Sequence, residues 1–413
     1  MHHIFTHKNI LILVSGSIAV YKMLDCISQL TKYGAHIRVV MSEESRAFIA
    51  PLSFEALSHN IVLHDDNQFW YGKQETNANH ISYAKWADIV LVAPATANTI
   101  AKIACGIADN VLLSTLLASC APKLLAPAMN TAMLNASQTK QNLAILESMG
   151  YEIIPPRSSV LVCGDEGNGA LAQVEEIIFM LGRRLMKHTF WYKRNVIISG
   201  GGSKENIDSV RYISNRSSGK QASYLALALY MLGAEVTLIA SAFPFTLPLG
   251  IKCMNVESVS EFNEAIHKAL DTLDSVNKPI VFMAAALADY APKPQSGKLK
   301  KEHIGESLSL QCYKTNDVLE SISSHKAYKV GFKAEIDETH ALQYATSMLQ
   351  QKKCDMVCLN VINEQNPFGN DTNEMKLISA QGVEKISGSK FEVAMRIAAS
   401  LEILLIQQDS KDI

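Results

Sequence analysis

Short β-branched runs alternate with longer amphipathic segments in two successive series, and this alternation limits the fold more than any other feature of the chain. Asn9–Val14 (NILILV) reads as a strand, Ile18–Tyr33 as a helix and His36–Met41 (HIRVVM) as a second strand. Ile89–Val92 and Leu124–Ala126 read as buried strands, with helices over Ala97–Cys105, Asp109–Ser119 and Ala132–Met149. The second series opens with strand Asn195–Ser199, helix Gly219–Leu232, strand Glu235–Ala240, helix Val259–Leu273 and strand Pro279–Ala284. It continues through Lys329–Lys333, a helix near Glu338–Lys352, strand Asp355–Asn360 and helix Lys390–Gln407. Strands alternating with helices form parallel βαβ units, so the expected class is α/β with two doubly wound domains. Helical periodicity ends in a basic, aromatic stretch at Lys187–Arg194 (KHTFWYKR), which puts the expected domains at residues 1–190 and 191–413. The polar, Pro- and Gly-bearing segment Asp289–Glu306 is expected to be an exposed, mobile loop.

Composition excludes several roles. Of 413 residues 48% are apolar and 19% charged, which suits a soluble protein with a large core. Lys plus Arg is 38 and Asp plus Glu is 40, a net of −2, so no general attraction to nucleic acid or an anionic membrane is expected. The longest uncharged runs, Leu124–Thr139 and Val236–Ile251, are too short and too interrupted to span a bilayer. MHHIFTHKNI is not a secretory signal, and the expected location is the cytoplasm. The eight cysteines form no CxxC pair and read as reduced thiols.

Polar and small residues gather where α/β sheets bind ligands, at strand C-terminal ends. The turn Ser15-Gly16-Ser17-Ile18 presents backbone N–H groups at a helix start, suited to a phosphate or a flavin edge, but it is not GxGxxG. The second turn, Met41–Ser45, offers hydroxyls at another helix start, where on its own Ser42 reads first as a plain helix cap. Thr96-Ala97-Asn98-Thr99 follows the next strand with hydroxyls and an amide. Asn130 reads either as a helix cap or as a carboxamide for a substrate carboxylate, and His80 either as structural or as functional. Cys163, in CGDEGNG, reads as an inert thiol or as a mobile acid or nucleophile on a glycine-rich loop.

In order, the segments SGSIAVYK, NHISYAKWADIVLVAPATANTIAK, GIADN, PAMNTAML and CGDEGNG resemble the flavin-dependent cysteine decarboxylases. They are most similar to the phosphopantothenoylcysteine decarboxylase half of the bifunctional coenzyme A biosynthesis enzymes, from about Lys8 to Met186. The resemblance implies a flavodoxin-like domain in which Ser15, Gly16, Ser17, Ile18, Ser42 and Thr96, Ala97, Asn98 and Thr99 hold FMN. His80 would be the base or proton manager, Met129 a substrate contact, Asn130 the group binding the carboxylate to be lost, and Cys163 the proton donor. Leu134 stands where the family usually has an aromatic residue, Ala170 where it often has arginine, and Ser17 where many relatives have glycine. A cysteine carboxylate lacks an electron sink; once the thiol is oxidised to a thioaldehyde, the thiocarbonyl accepts the electrons as CO2 leaves. The cycle has no net redox change and needs no nicotinamide.

In the second half Gly200-Gly201-Gly202-Ser203 follows strand NVIIS, which alone fits a nucleotide phosphate or a short-chain dehydrogenase. The longer set KENIDSVRYISNRSSGK, MAAALADY, KLKK, KTND and GFKAE resembles the phosphopantothenate–cysteine ligase half of the same enzymes, from about Arg194 to Leu405. It implies a Rossmann-like nucleotide-binding domain that uses CTP to form an acyl-cytidylate. Asn215 would contact that intermediate. Arg211, Ala285, Ala286, Asp289, Lys298, Lys314, Thr315, Asn316, Asp317, Phe332 and Lys352 would surround substrate and CTP. Lys298 would support attack by cysteine, and Asp289 would hold Mg2+ with the phosphates. Met348 stands where relatives have another phosphate-binding lysine. The resemblance also implies a homo-oligomer, a dodecamer of trimers and dimers. Two rival readings remain, a nicotinamide-dependent reductase and a flavodoxin-like electron carrier. The first lacks GxGxxG, and the second would not need PAMN, the Cys163 loop or a fused nucleotide domain.

Overall fold

The computed structural model describes residues 2–70, 78–160, 166–273, 277–300, 306–322, 325–364, 366–367 and 369–410. The chain divides into two compact units, Met1–Met186 and Lys187–Ile413.

In the first unit the strands are β1 (Asn9–Val14), β2 (His36–Met41), β3 (Ile89–Ala95), β4 (Lys123–Pro127), β5 (Glu152–Ile153), β6 (Arg157–Val160) and β7 (Glu166–Ala170). Five of them form a parallel sheet in the order β2-β1-β3-β4-β5, the flavodoxin-like arrangement. Strands covered on both faces are continuously apolar, which is why NILILV is buried from Ile10 to Val14. Helix Tyr21–Lys32 turns Met23, Cys26, Ile27 and Leu30 inward, a three- and four-residue spacing that makes one apolar stripe. On one face of the sheet Leu11, Leu13, Val90, Val92 and Leu125 pack with Ile100, Leu112, Leu116 and Leu146. β6 and β7 pair separately as an antiparallel ribbon.

Two helices differ from their sequence reading. The segment from Ile18 starts as a 3-10 turn, Ile18–Val20, because the Ser17 hydroxyl accepts the Ala19 N–H before the α-helix begins at Tyr21. The expected helix Ala132–Met149 is two, Thr131–Asn135 and Ser137–Ser148, parted where Ala136 adopts φ −57° and ψ 138°. The first piece buries none of its residues, so no core packing holds it in line with the second.

The second unit contains β8 (Asn195–Gly200), β9 (Lys204–Asn206), β10 (Tyr212–Ser214), β11 (Glu235–Ala240), β12 (Lys252–Asn255), β13 (Ile280–Met283), β14 (Tyr290–Pro292), β15 (Cys312–Lys314), β16 (Tyr328–Glu335), β17 (Met356–Val361), β18 (Thr372–Ser379) and β19 (Gly382–Ser389). Its main sheet runs β12-β11-β8-β13-β16-β17-β18-β19. The first six strands are parallel, and renumbered in chain order they read 3-2-1-4-5-6, the doubly wound nucleotide-binding arrangement. β18 and β19 extend it as an antiparallel hairpin. Trp191, from the basic, aromatic stretch, is fully buried. The segment expected to be a loop from Asp289 contains β14, which pairs antiparallel with β15.

Gly200 lies at the end of β8, where a Cβ would stand 2.6 Å from the Ala222 Cβ and 3.5 Å from that of Ala240. Gly200→Ala therefore overpacks the helix Lys220–Met231 against the sheet. It should destabilise the protein by about 1–3 kcal/mol. Urea denaturation followed by Trp fluorescence checks this; an unchanged midpoint would refute the packing argument.

Candidate functional site

β1 and β3 are neighbours, but their chains leave the sheet in different directions, so a crevice opens at their C-terminal ends. The buried Ser15 hydroxyl spans that point. It donates to the Pro94 carbonyl at 2.7 Å and accepts the Thr96 N–H at 3.1 Å. Thr96 in turn caps the helix Ala97–Ala104 by accepting the Thr99 N–H at 3.3 Å, and the two threonine hydroxyls lie 3.0 Å apart. Above this clamp is a cavity of about 620 Å³. It collects Gly16, Ser17, Ile18, Thr96, Ala97, Asn98, Thr99, Met129 and Asn130 from three separate sequence motifs.

Gly16 is required by proximity, since a Cβ there would overlap that of Glu44. The Met129–Asn130 loop is held from the opposite side. Met129 N–H donates to the Gly169 carbonyl at 2.9 Å, and a Cβ at Gly169 would overlap the Met129 carbonyl oxygen. Asn130 Oδ1 accepts the Ala132 N–H at 2.8 Å, so the helix-capping role is real; the same bond fixes the carboxamide on the cavity wall.

Other expected residues lie elsewhere in the unit. Ser42 is buried and caps Glu43–Arg46, accepting the Ser45 N–H at 3.4 Å. His80 begins helix His80–Trp86, with Nδ1 2.8 Å from Gln68 Oε1 and its ring edge-on to Trp70 at 5.1 Å; it does not line the cavity. Cys163 lies outside the described residues. Tyr21, Lys22, Arg157, Ser159 and Leu171 also line the cavity and escaped the sequence reading. Lys22 carried a signal, closing the SGSIAVYK segment; Arg157 carried none.

Serines clamp the second unit in the same way. At the ends of β8 and β13, Ser199 Oγ accepts the Ala285 N–H at 3.2 Å and Ser203 Oγ accepts the Ala288 N–H at 3.0 Å. Ala286 N–H donates to the Gly201 carbonyl at 2.8 Å. Asn215 donates from Nδ2 to the carbonyls of Ala286 and Leu287 at 3.3 and 3.0 Å, which joins its loop to the Ala285–Asp289 segment. Thr315 adds two bonds, its hydroxyl to the Ala288 carbonyl at 2.6 Å and its N–H to the Asp289 carbonyl at 2.9 Å. The structure thus brings Asn215, Ala285, Ala286, Asp289, Lys314 and Thr315 together. Asp289 and Lys314 are exposed.

Lys298 is exposed, but its backbone is anchored. Leu299 N–H donates to Asp208 Oδ2 at 3.1 Å, Arg211 Nη2 to the Leu299 carbonyl at 3.3 Å, and Ser209 N–H to the Gly297 carbonyl at 3.3 Å. Burial works to raise the Asp208 pKa. The N–H groups of Val210, Arg211 and Leu299, with the Arg211 charge, outweigh it and hold the carboxyl below its ordinary value of 3.8.

Lys352 is engaged by Asp317 at 2.6 Å and Glu320 at 2.7 Å. Burial pushes the Asp317 pKa up, but the Lys352 hydrogen bond, the Glu320 N–H and the charges of Lys352 and Lys314 bring it below the ordinary value. Asp317 also caps Val318–Ser321. Phe332 is half-buried on β16; Asn316 is exposed beside Thr315. Met348 is half-buried, packed into the core with its Cε 2.7 Å from where a Gly331 Cβ would be. Among the described residues no group of three or more His, Cys, Asp or Glu could hold a metal, and no helix is long and apolar enough to cross a membrane.

The family model described as Flavoprotein matches residues 3–186, and that described as DNA/pantothenate metabolism flavoprotein C-terminal domain matches residues 191–404. The chain is 36% identical over 393 residues to the Coenzyme A biosynthesis bifunctional protein CoaBC of Haemophilus influenzae, covering 94% of this chain and 95% of that protein. It is 36% identical over 406 residues to the protein of the same name from Bacillus subtilis, covering 96% of each. Among solved structures, a PPC decarboxylase mutant complexed with pantothenoylaminoethenethiol is 33% identical over 42% of this chain and 96% of that chain, with a TM-score of 0.39. The C-terminal domain of a CoaBC protein is 27% identical over 53% of this chain and 100% of that chain, with a TM-score of 0.43.

Two outcomes follow from this geometry. Gly169→Ala should push the Met129–Asn130 loop away and weaken flavin retention, read as the ratio of flavin to protein absorbance; parent-like retention would refute the close approach. For Asp208 the folded-state pKa is depressed, so its stabilisation is present above the ordinary carboxyl value and is lost as pH falls through the lowered one. The Leu299 amide should therefore shift in NMR spectra with a midpoint below 3.8, and Asp208→Ala should abolish that titration. A midpoint above the ordinary value would contradict the hydrogen-bond assignment.

Proposed function

Because this chain belongs to the bifunctional coenzyme A biosynthesis proteins, with phosphopantothenoylcysteine decarboxylase and phosphopantothenate–cysteine ligase activities, we propose that they divide at about residue 190. The decarboxylase would use FMN in residues 1–190, and the ligase CTP with Mg2+ in residues 191–413. The observation that carries this reading is the near-full-length match to bifunctional relatives. The geometry supports it at residue level, because motifs far apart in sequence line one cavity.

The cavity suits a flavin. The Ser17 hydroxyl, the Asn98 carboxamide and the N–H groups of Ala97 and Asn98 at the start of their helix offer donors, Ile18, Met129, Met133 and Leu171 give apolar walls, and Gly16 leaves room at the turn. When bound, the flavin supplies a reversible two-electron acceptor for the substrate thiol. The protein's task is to orient the cysteine end and exclude water. Asn130, whose carboxamide is fixed at the cavity wall by the bond from the Ala132 N–H, would hydrogen-bond the carboxylate. Cys163 would deliver the proton to the ene-thiolate that remains after CO2 departs, a thiol being a far better acid than a hydroxyl at neutral pH. His80 would manage a proton from outside the cavity lining of its own chain.

In the ligase, a carboxylate oxygen of phosphopantothenate attacks the α-phosphorus of CTP and pyrophosphate leaves. The cysteine amine then attacks the acyl carbon and CMP leaves. Asn215 would hold the acyl-cytidylate, and Lys314 and Lys298 would offset the negative charge that develops. Asp289 would take Mg2+ together with phosphate oxygens. The location would be the cytoplasm. The working form would be a homo-oligomer, which the exposed Ile18 and Tyr21 at the cavity rim support.

Purified full-length protein should be yellow, and should release pyrophosphate from CTP only when phosphopantothenate is present. Lys298→Gln should still release pyrophosphate but transfer the acyl group to cysteine about 10²-fold more slowly. A variant that binds CTP yet releases none would assign Lys298 to the earlier step. Under anaerobic conditions, adding phosphopantothenoylcysteine should bleach Cys163→Ser. Asn130→Asp should stay yellow because its added carboxylate repels that of the substrate. Full turnover by Cys163→Ser at the parent rate would return the thiol to an inert role.

A further inference from the structure

Two cations share the N-terminal cavity with no anion assigned to them. Lys22 comes from the helix after the first turn and Arg157 from the start of β6, and both line the cavity wall. Neither has an ion pair among the described residues, although Glu44 lines the same space. Arg157 Nε is buried without a hydrogen-bond partner. Burial, and then the charge of Arg157, lowers the Lys22 pKa, so the two side chains feel each other. Buried guanidinium N–H groups are stable when paired, and an anion bridging two cations would meet both needs.

The position is specific. Arg157 stands opposite Ala170 across the β6–β7 ribbon, and side chains of directly paired residues project from the same face. Next to Ala170, the Gly169 carbonyl accepts the Met129 N–H. Arg157 is therefore one strand away from the segment that is tied to the Asn130 loop. Arg157 and Ala170 both line the cavity wall.

We propose that Arg157, assisted by Lys22, forms the anion-binding wall of the decarboxylase cavity and holds an anionic group of the substrate, its carboxylate or its phosphate. This rests on the decarboxylase reading given above. Planar guanidinium geometry suits either group, because each offers two oxygens to a two-pronged donor.

The test uses full-length, flavin-loaded protein and S-methyl phosphopantothenoylcysteine, a thioether that cannot be oxidised at sulfur, with a second probe lacking the phosphate. Calorimetric titration measures affinity, and absorbance measures flavin content. Arg157→Gln should keep parent-like flavin content and bind the phosphorylated probe about 10- to 100-fold more weakly. Arg157→Lys should recover much of the loss, and KM should rise more than kcat falls. A loss confined to the phosphorylated probe identifies the phosphate; an equal loss with both probes identifies the carboxylate. Parent-like affinity in Arg157→Gln would overturn the proposal. So would a loss that disappears when FMN is added to saturation, since the anion would then belong to the cofactor. A parent protein that neither binds the probes nor decarboxylates phosphopantothenoylcysteine would instead sink the decarboxylase reading on which the proposal stands.

Discussion

Both sites depend on one physical problem, that of a parallel sheet where two neighbouring strands send their chains apart. The crevice left there needs its backbone groups satisfied without being filled. Each unit answers with buried serines. Ser15 bridges the ends of β1 and β3 through Pro94 and Thr96. Ser199 and Ser203 bridge the ends of β8 and β13 through Ala285 and Ala288. A serine can donate and accept in the volume of a small side chain, so it ties two turns together while the space above stays open. The resemblance implies Ser15 as a cofactor contact; in the structure its hydroxyl donates to the Pro94 carbonyl and accepts the Thr96 N–H, which fixes the turn beside the cavity.

Close backbone approach is the second shared device. Gly16 lies against Glu44, Gly169 against Met129 and Gly202 against the Asn215 carbonyl; in each case a Cβ would collide with its neighbour. The last two contacts position the Asn130 and Asn215 loops, which carry the two carboxamides proposed to meet substrate. The carboxamides are held differently. Asn130 uses its oxygen on a backbone N–H, whereas Asn215 uses its nitrogen on two carbonyls.

Much of this was legible because buried parallel strands leave a plain record. β1, β2 and β11 have the bounds their apolar runs imply. The hairpin β18–β19 was not, since GVEKISGS is mostly exposed and lacks clean alternation; it is held by pairing to β17 and by the helix Lys390–Asp409. The short helix Pro51–Ser58 was missed for a related reason, burying only Phe54 and Ser58. In the site, motif residues were recoverable because small and polar groups at strand ends are unusual against an apolar background. Arg157 was not, because a single arginine in PPRSSV looks like surface until pairing with Ala170 turns it toward the cavity.

The Lys298 loop shows how charge and order combine. Composition alone suggested a mobile segment, yet the Asp208 carboxylate, nearly excluded from solvent, accepts three backbone N–H groups and faces Arg211. One of those donors is Leu299, directly beside Lys298, and Gly297 on the other side accepts Ser209 N–H. The backbone is therefore fixed on both flanks, and what remains free is the four-carbon lysine stem. A flexible cation on a rigid base can sample the space above a site without the entropic cost of ordering a whole loop. Asp208, paired with Arg211, thereby sets where the Lys298 side chain starts from.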